Sequence, residues 1–354
     1  MKKCYINGTG CVSAQKTFDT AFLEDSTVNA TDNVLPVNEP DYKEFIPPAM
    51  GRRMAKVVKN GVAASSRALQ EAGITEPDAI ITGTGMGCST DSEKFLKAIL
   101  DNKEEFLTPT SFIQSTHNTV GAQIALGLQC KAYNFTYVNG AVSFESSLID
   151  AKLQIEEEEA STILVGGIEE SAENTVHFMQ ISGAIKHKDN LQNVLASTTK
   201  GAVHSEGAVF FVLADHKQES TYAELKDVSI YNALAQDEVE GKVQQFLKAN
   251  GLTAKDIDAV VLGYNGDVEF DGYYNTLSEG LFANTQQVYY KHLCGEFNTA
   301  SAFGMWVAAK AIKAQNFPDI VRINNVEKAS YKNVLLYNQY RGQDHSLTLI
   351  SACL

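Results

Sequence analysis

The sequence predicts an α/β protein built from parallel β-α-β units. Two observations carry this. Short apolar runs alternate with segments of helical period along the whole chain, and strands separated by helices of that length pair in parallel through crossovers. The alternation also runs twice, on either side of the polar stretch "DHKQEST" at 215–221. Residues 1–218 and 219–354 are therefore expected to be two similar halves, and the lack of a linker or short-period repeat joins them in one core.

In chain order, "CYIN" at 4–7 reads as the first strand, and Met54, Val57, Val58, Val62 and Leu69 recur at helical spacing until Gly73 stops the helix. "AIITGTG" at 79–85 is a buried-type strand, "SEKFLKAIL" at 92–100 a helix and "TVGAQIALGL" at 119–128 another. "FTYV" at 135–138 is a strand, followed by a helix from Ser143 through the acidic run Glu156–Glu159, whose end is a solvated face. "TILVGG" at 162–167 and "GAVFFVL" at 207–213 complete the strands of the first half. The second half reads as a helix in "EVEGKVQQFLKANG", a strand at 259–263, a helix in "GYYNTLSEGLF", a strand at 287–290, the apolar helix "SAFGMWVAAKAI" at 301–312, and closing strands at 333–338 and 346–352.

Composition narrows the function. With 354 residues, 44% of them hydrophobic, the chain can bury a large core without crosslinks, and its six scattered cysteines form no CxxC or Cys/His spacing. Reduced, mostly buried thiols are expected, with neither a disulfide frame nor a metal site. The net charge of −14 repels a polyanion, which argues against nucleic-acid binding. No apolar run reaches the ~20 residues of a membrane span, and "MKKCYINGTGCVS" is too polar for a signal-peptide core. The expected location is the cytoplasm.

Most familiar motifs fail on register. Gly83, Gly85 and Gly87 follow a strand, but the GxGxxG spacing is absent, so a tight turn and no bound nucleotide or other cofactor is expected. His117, in "STHNT" ahead of a helix, reads as a cap or core hydrogen-bonder. "YVNGAVSFESSLIDA" at 137–151 is a strand, a glycine turn and a helix start, where many enzymes mount a nucleophile, yet the turn carries Ala141. Ser143 is not a serine-hydrolase elbow, because neither Ala141 nor Glu145 is glycine.

The order of these segments resembles the β-ketoacyl synthase, or condensing-enzyme, family of the thiolase fold. The resemblance rests on "YINGTGCVSAQ", "FLTPTSFIQSTHNTVGAQIALGLQCKAYNFTYV", "GAVHSEGAVFFVL", "KHLCGEFNTASAFGMWVAAKAI" and "NQYRGQDHSLTLI", in that order. It implies two similar β-α-β halves in a layered α-β-α-β-α architecture. Members of the family carry a cysteine at a helix N-terminus, which takes the acyl chain as a thioester, two histidines that stabilise the enolate from decarboxylation, and backbone amides that form an oxyanion hole. Registering this chain on those segments places Ala141 on the cysteine, Asn265 in "AVVLGYNGD" on the first histidine, and Glu296 in "KHLCGEF" on the second, with Lys291 and Gly295 retained.

An Ala-Asn-Glu set implies that the family's 3-oxoacyl-ACP synthase chemistry is lost, with Lys291 a candidate ion-pair partner of a buried Glu296. Such a chain resembles a chain-length factor, although those often carry glutamine where Ala141 stands. The implied partner is an active ketosynthase in a heterodimer, or a second copy in a homodimer, with an acyl carrier protein reached through that partner. The implied pathways are of fatty-acid, polyketide or aryl-polyene type. Two alternatives stay open: a hydrolase or decarboxylase of acyl thioesters using Glu296, Asn265 and Ser143, and a homodimeric acyl-thioester binding protein.

Overall fold

The computed structural model describes residues 2–29, 31–52 and 54–353. The first half runs β1 (Cys4–Val12), β2 (Val34–Leu35), α1 (Pro48–Gly51), α2 (Lys56–Ala72), β3 (Ala79–Gly83), α3 (Ser89–Asp101), α4 (Pro109–Gln114), α5 (Thr119–Leu128), β4 (Tyr133–Tyr137), α6 (Ser143–Glu156), β5 (Thr162–Glu169), α7 (Glu173–Ile181), β6 (His204–Ser205) and β7 (Gly207–Ala214). The second runs β8 (Ala223–Asn232), α8 (Val239–Ala249), β9 (Ala259–Leu262), α9 (Gly272–Asn275), β10 (Gln286–Tyr289), α10 (Lys291–Cys294), α11 (Ser301–Ala314), β11 (Asn333–Tyr340) and β12 (Asp344–Ser351).

Ten strands form one sheet in the order β10-β9-β11-β12-β8-β1-β7-β5-β3-β4. Within each half the long strands lie in the order third, second, fourth, fifth, first, so one topology occurs twice. The halves meet where β1 pairs antiparallel with β8, from Cys4 opposite Leu225 to Ile6 opposite Ala223. Within this sheet the described strands pair in parallel at β3 with β4 and β5 and at β9 with β10 and β11, and β2 and β6 form a separate parallel pair. The strands nearest the join are antiparallel, so the expectation of parallel units throughout is corrected to a mixed sheet.

Strand alternation builds the layers. On β7, Val209, Phe211 and Leu213 face a core shared with α6, α11 and the inner faces of β8 to β11. Phe210 and Val212 face the opposite way, onto α2 and α5. In the second half Val260, Leu262, Leu347 and Leu349 pack outward on α8. Two sheet halves thus sandwich α6 and α11, with helices on both outer faces. Helix α11 is apolar on nearly all sides because it lies between the sheet halves, with Phe303, Val307 and Ala311 fully buried; a Phe303→Ala exchange there costs about 3–5 kcal/mol.

Several expectations change. β8 has no counterpart in the sequence reading, and a bulge accounts for this: Leu349 pairs with Asp227 but Ile350 with Leu225, leaving Lys226 extra. The apolar Leu225 and Val228 are then three residues apart and the period-two signal is lost. The helix expected over 272–282 stops after Asn275, passes into a π-helical stretch and breaks at Gly280 (φ −101°, ψ −105°). Helices α4 and α7 were also not anticipated. Helix α6 ends at Glu156, and the rest of the acidic run lies beyond it, with Glu158 at φ +63°. His117 is exposed and α5 has no side-chain cap, so it is neither cap nor core. Its ring instead lies against Gly87, whose φ of +64° suits glycine.

Candidate functional site

The strand-turn-helix expected around Ala141 is present. Strand β4 ends at Tyr137, Gly140 turns at φ +55°, and Ala141 sits buried at the entry to α6. The turn is held by Ser143, whose Oγ accepts from the Asn139 amide at 2.8 Å and donates to the Gly140 carbonyl at 2.7 Å or the Thr84 carbonyl at 3.0 Å. A side chain at Gly83 would overlap the Ser143 carbonyl, so the bare glycine lets β3 end directly under the helix start. The Ala141 amide donates to Asp344 Oδ2 at 3.2 Å, and Asn232 Nδ2 lies 3.5 Å from Asp344 Oδ1.

Asn265 and Glu296 arrive from the second half. Asn265 follows β9 in a loop held by Asp271, whose carboxylate accepts from the Asn265 amide at 3.2 Å and the Gly266 amide at 2.8 Å. Burial pushes the Asp271 carboxyl up to about 7. Glu296 follows α10 and Gly295, which turns at φ +74°, and its amide donates to the Val203 carbonyl at 2.7 Å. The two side chains meet: Asn265 Nδ2 donates to Glu296 Oε2 at 2.6 Å. Lys291 Nζ donates to the same oxygen at 2.7 Å, and the side chains of Lys291 and Glu296 are only 1% and 8% exposed.

Of these groups Glu296 lines a cavity of about 420 Å³, with Gly140, Glu169, Glu170, His204 and Tyr340, whereas Ala141 and Lys291 lie outside its walls. A narrower extension reaches Asn265 past the same His204 and Glu296. Ser143 lines neither space, its hydroxyl being used in the turn. His292 is also elsewhere, stacked on Tyr289 with Nε2 2.8 Å from the Ile320 carbonyl.

Three cavity residues escaped the sequence reading. Glu169 carries the amides of Gly85 and Met86 on its carboxylate, so the glycine-rich loop is bound by protein. Burial nonetheless drives its pKa up to about 8 and that of Glu170 up to about 7. His204 is held neutral by burial, its pKa lowered to about 4, and its Nδ1 has no hydrogen-bond partner among the described residues. The available signal was positional: "GGIEES" puts two carboxyls at the C-terminal end of a buried strand, where open α/β sheets place their ligand crevices.

The described residues contain no cluster of His, Cys, Asp or Glu fit for a metal ion, and no described helix is long and apolar enough to cross a membrane. The six cysteines are free, five of them buried.

Comparison with known proteins follows the geometry. The structure superposes on a β-ketoacyl synthase from Burkholderia phymatum STM815 with a TM-score of 0.82 at 17% identity, covering 100% of both chains. It matches the ishigamide ketosynthase/chain length factor with a TM-score of 0.79 at 18% identity, over 99% of each chain. It matches the ketosynthase ApeO in complex with its chain length factor ApeC, from Xenorhabdus doucetiae, with a TM-score of 0.77 at 13% identity, over 99% of this chain and 98% of that one. No curated protein sequence matches. At these identities the structures establish the ketosynthase, thiolase-like fold, and the sequence itself supplies the rest: residues 14–219 match the model of the β-ketoacyl synthase N-terminal domain, so the chain belongs to the β-ketoacyl synthase family.

Proposed function

We propose that this chain is a chain-length-factor-like partner of a cysteine-bearing ketosynthase and performs no condensation itself. The observation that carries the reading is the closed Asn265–Glu296–Lys291 cluster, formed by the two residues that the sequence register sets against the family's histidines together with Lys291. A methyl group at Ala141 forms no thioester. An enolate formed beside Glu296 would meet a second negative charge, and Lys291, the one cation of the cluster, is already paired. Decarboxylation is disfavoured along with acyl transfer.

The partner surface in this reading is β4. Among the described residues it is an edge strand paired only with β3, and Tyr133, Phe135 and the adjacent Val138 are each more than 40% exposed. An unpaired strand edge carrying aromatic side chains is a template for a second chain. The half 1–218 would then present the interface, while 219–354 supplies Asn265 and Glu296. Support comes from the two neighbours that pair a ketosynthase with a chain length factor, and from a third, a type II polyketide acyl-carrier protein in complex with its ketosynthase, which suggests carrier docking through the catalytic partner. The product would be of fatty-acid, polyketide or aryl-polyene type, made in the cytoplasm.

The test is co-expression with a cysteine-bearing ketosynthase encoded in the same genome. The expected result is a one-to-one complex whose product length changes or whose activity vanishes when this chain is omitted, with no turnover of malonyl or acyl thioesters by the isolated chain. Turnover by the isolated chain would overturn the proposal in favour of an enzyme acting through Glu296 and Asn265. A homodimer that binds acyl thioesters and ignores the ketosynthase would overturn it in favour of a binding protein.

A further inference from the structure

We infer that Asp344 is a built-in plug on the anion-binding end of α6, silencing this position independently of the missing thiol; the inference rests on Ala141 standing where the nucleophile would be. Helix α6 is 14 residues long, so its leading amides have no helical acceptor and its N-terminus carries partial positive charge. That end would hold a thiolate or an oxyanion. The Ala141 amide, in the 3-10 turn Gly140–Val142 that leads into this helix, donates to Asp344 Oδ2 at 3.2 Å. The contact is close on both sides: a Cβ built on Gly140 would stand 3.2 Å from the same oxygen.

The backbone that carries the carboxylate is also fixed in place. Asp344 begins β12 and is registered against Tyr340 on β11 and Asn232 on β8. The turn that brings it there needs positive φ at Arg341 and Gly342. A backbone held by two ladders does not swing aside as a loose loop would. Any anion formed at position 141 must share the helix end with a resident negative charge, so replacing Ala141 by cysteine alone would leave a thiol that ionises poorly.

The experiment is ultraviolet titration of the thiolate in A141C and in A141C/D344N, with wild type subtracted. Burial raises the thiols of Cys4, Cys11, Cys88, Cys294 and Cys353, which lowers the native background that the subtraction removes. The other ionisable groups around the helix end include Glu145, His345, Tyr340, Arg341, Glu169 and the Lys291–Glu296 pair, and both variants share them. With Asp344 present the introduced thiol is expected to titrate no lower than a free one. With D344N it should drop by a pH unit or more, giving about tenfold more thiolate at a fixed pH below both values. D344S serves as the second variant if D344N does not fold.

A low pKa already in A141C, or the same pKa in both variants, would overturn the role of Asp344. That result is separable from the functional reading: an inert wild-type chain with no titration shift removes only the plug, whereas wild-type turnover of acyl thioesters removes the functional reading whatever the thiol does.

Discussion

Replacing Glu296 by glutamine removes one charge from a pair whose atoms are 2.7 Å apart and whose side chains are 1% and 8% exposed. At that distance and an effective dielectric of about 20, the attraction is about 6 kcal/mol, most of it offset by the desolvation of both ions. What the exchange exposes is the buried Lys291 left without a counter-charge, and removing one member of a buried pair costs about 3–5 kcal/mol. Glutamine still accepts from Asn265, so the low end, about 3 kcal/mol, is the expected value. An unfolding entropy of about 2.1 cal/mol/K per residue over 354 residues converts this to a Tm lowered by about 4 °C. The assay is thermal unfolding of wild type, E296Q, K291M and K291M/E296Q. The double variant should be more stable than the summed single effects by about 1–3 kcal/mol, because it leaves no lone buried charge. An unchanged Tm in E296Q, or strict additivity, would refute the pairing as a structural element.

The remaining predictions concern protonation, the strand edge and the glycine contact. Burial raises Glu170 from an ordinary 4.5 to about 7, so the folded state holds a proton that the unfolded state has released between those values. Stability therefore falls as pH rises through that window, by roughly 3 kcal/mol in full. In E170Q the Tm advantage over wild type should grow from pH 4.5 to 7 and then level off, and a difference independent of pH would contradict the assignment. Phe135→Lys on the open edge of β4 should weaken assembly at least about tenfold, read by light scattering against concentration, with the Tm of the separated chain within about 1 °C of wild type. Gly83→Ala should reduce soluble yield and lower Tm, because its methyl group meets the Ser143 carbonyl; a stable Gly83→Ala variant would mean that β3 and α6 can separate.

Much of the fold was legible because strong periodicity and glycine stops survive in the sequence. Helix α5 and the start of α6 fall where Thr119, Leu128 and Ser143 mark them, and Gly73 ends α2 in the left-handed region at φ +66°. What was lost had a local cause: Lys226 breaks the alternation of β8, and Gly280 breaks a helix that its neighbours favour. The site was legible only in its frame. Segment order singled out Ala141, Asn265 and Glu296, and Lys291 lies only five residues from Glu296, but the Asn265–Glu296 contact joins residues 31 positions apart. Asp344 reaches Ala141 across 203 positions, and no spacing rule in the sequence links a residue after the β11–β12 turn to the helix start beneath it.

The doubled strand order leaves the sheet with two rims of different character. The β10 rim is closed by the segment after α11: Val288 bridges Arg322, and the Ile323 amide donates to the Gln287 carbonyl at 2.8 Å. Among the described residues the β4 rim has no such cover. In the proposed assembly, strand addition would therefore happen once per chain and at one end, and the sheet would extend into one neighbouring molecule and then terminate. A protein with two open rims would propagate into filaments; with one rim covered, the proposed assembly would stop after a single step.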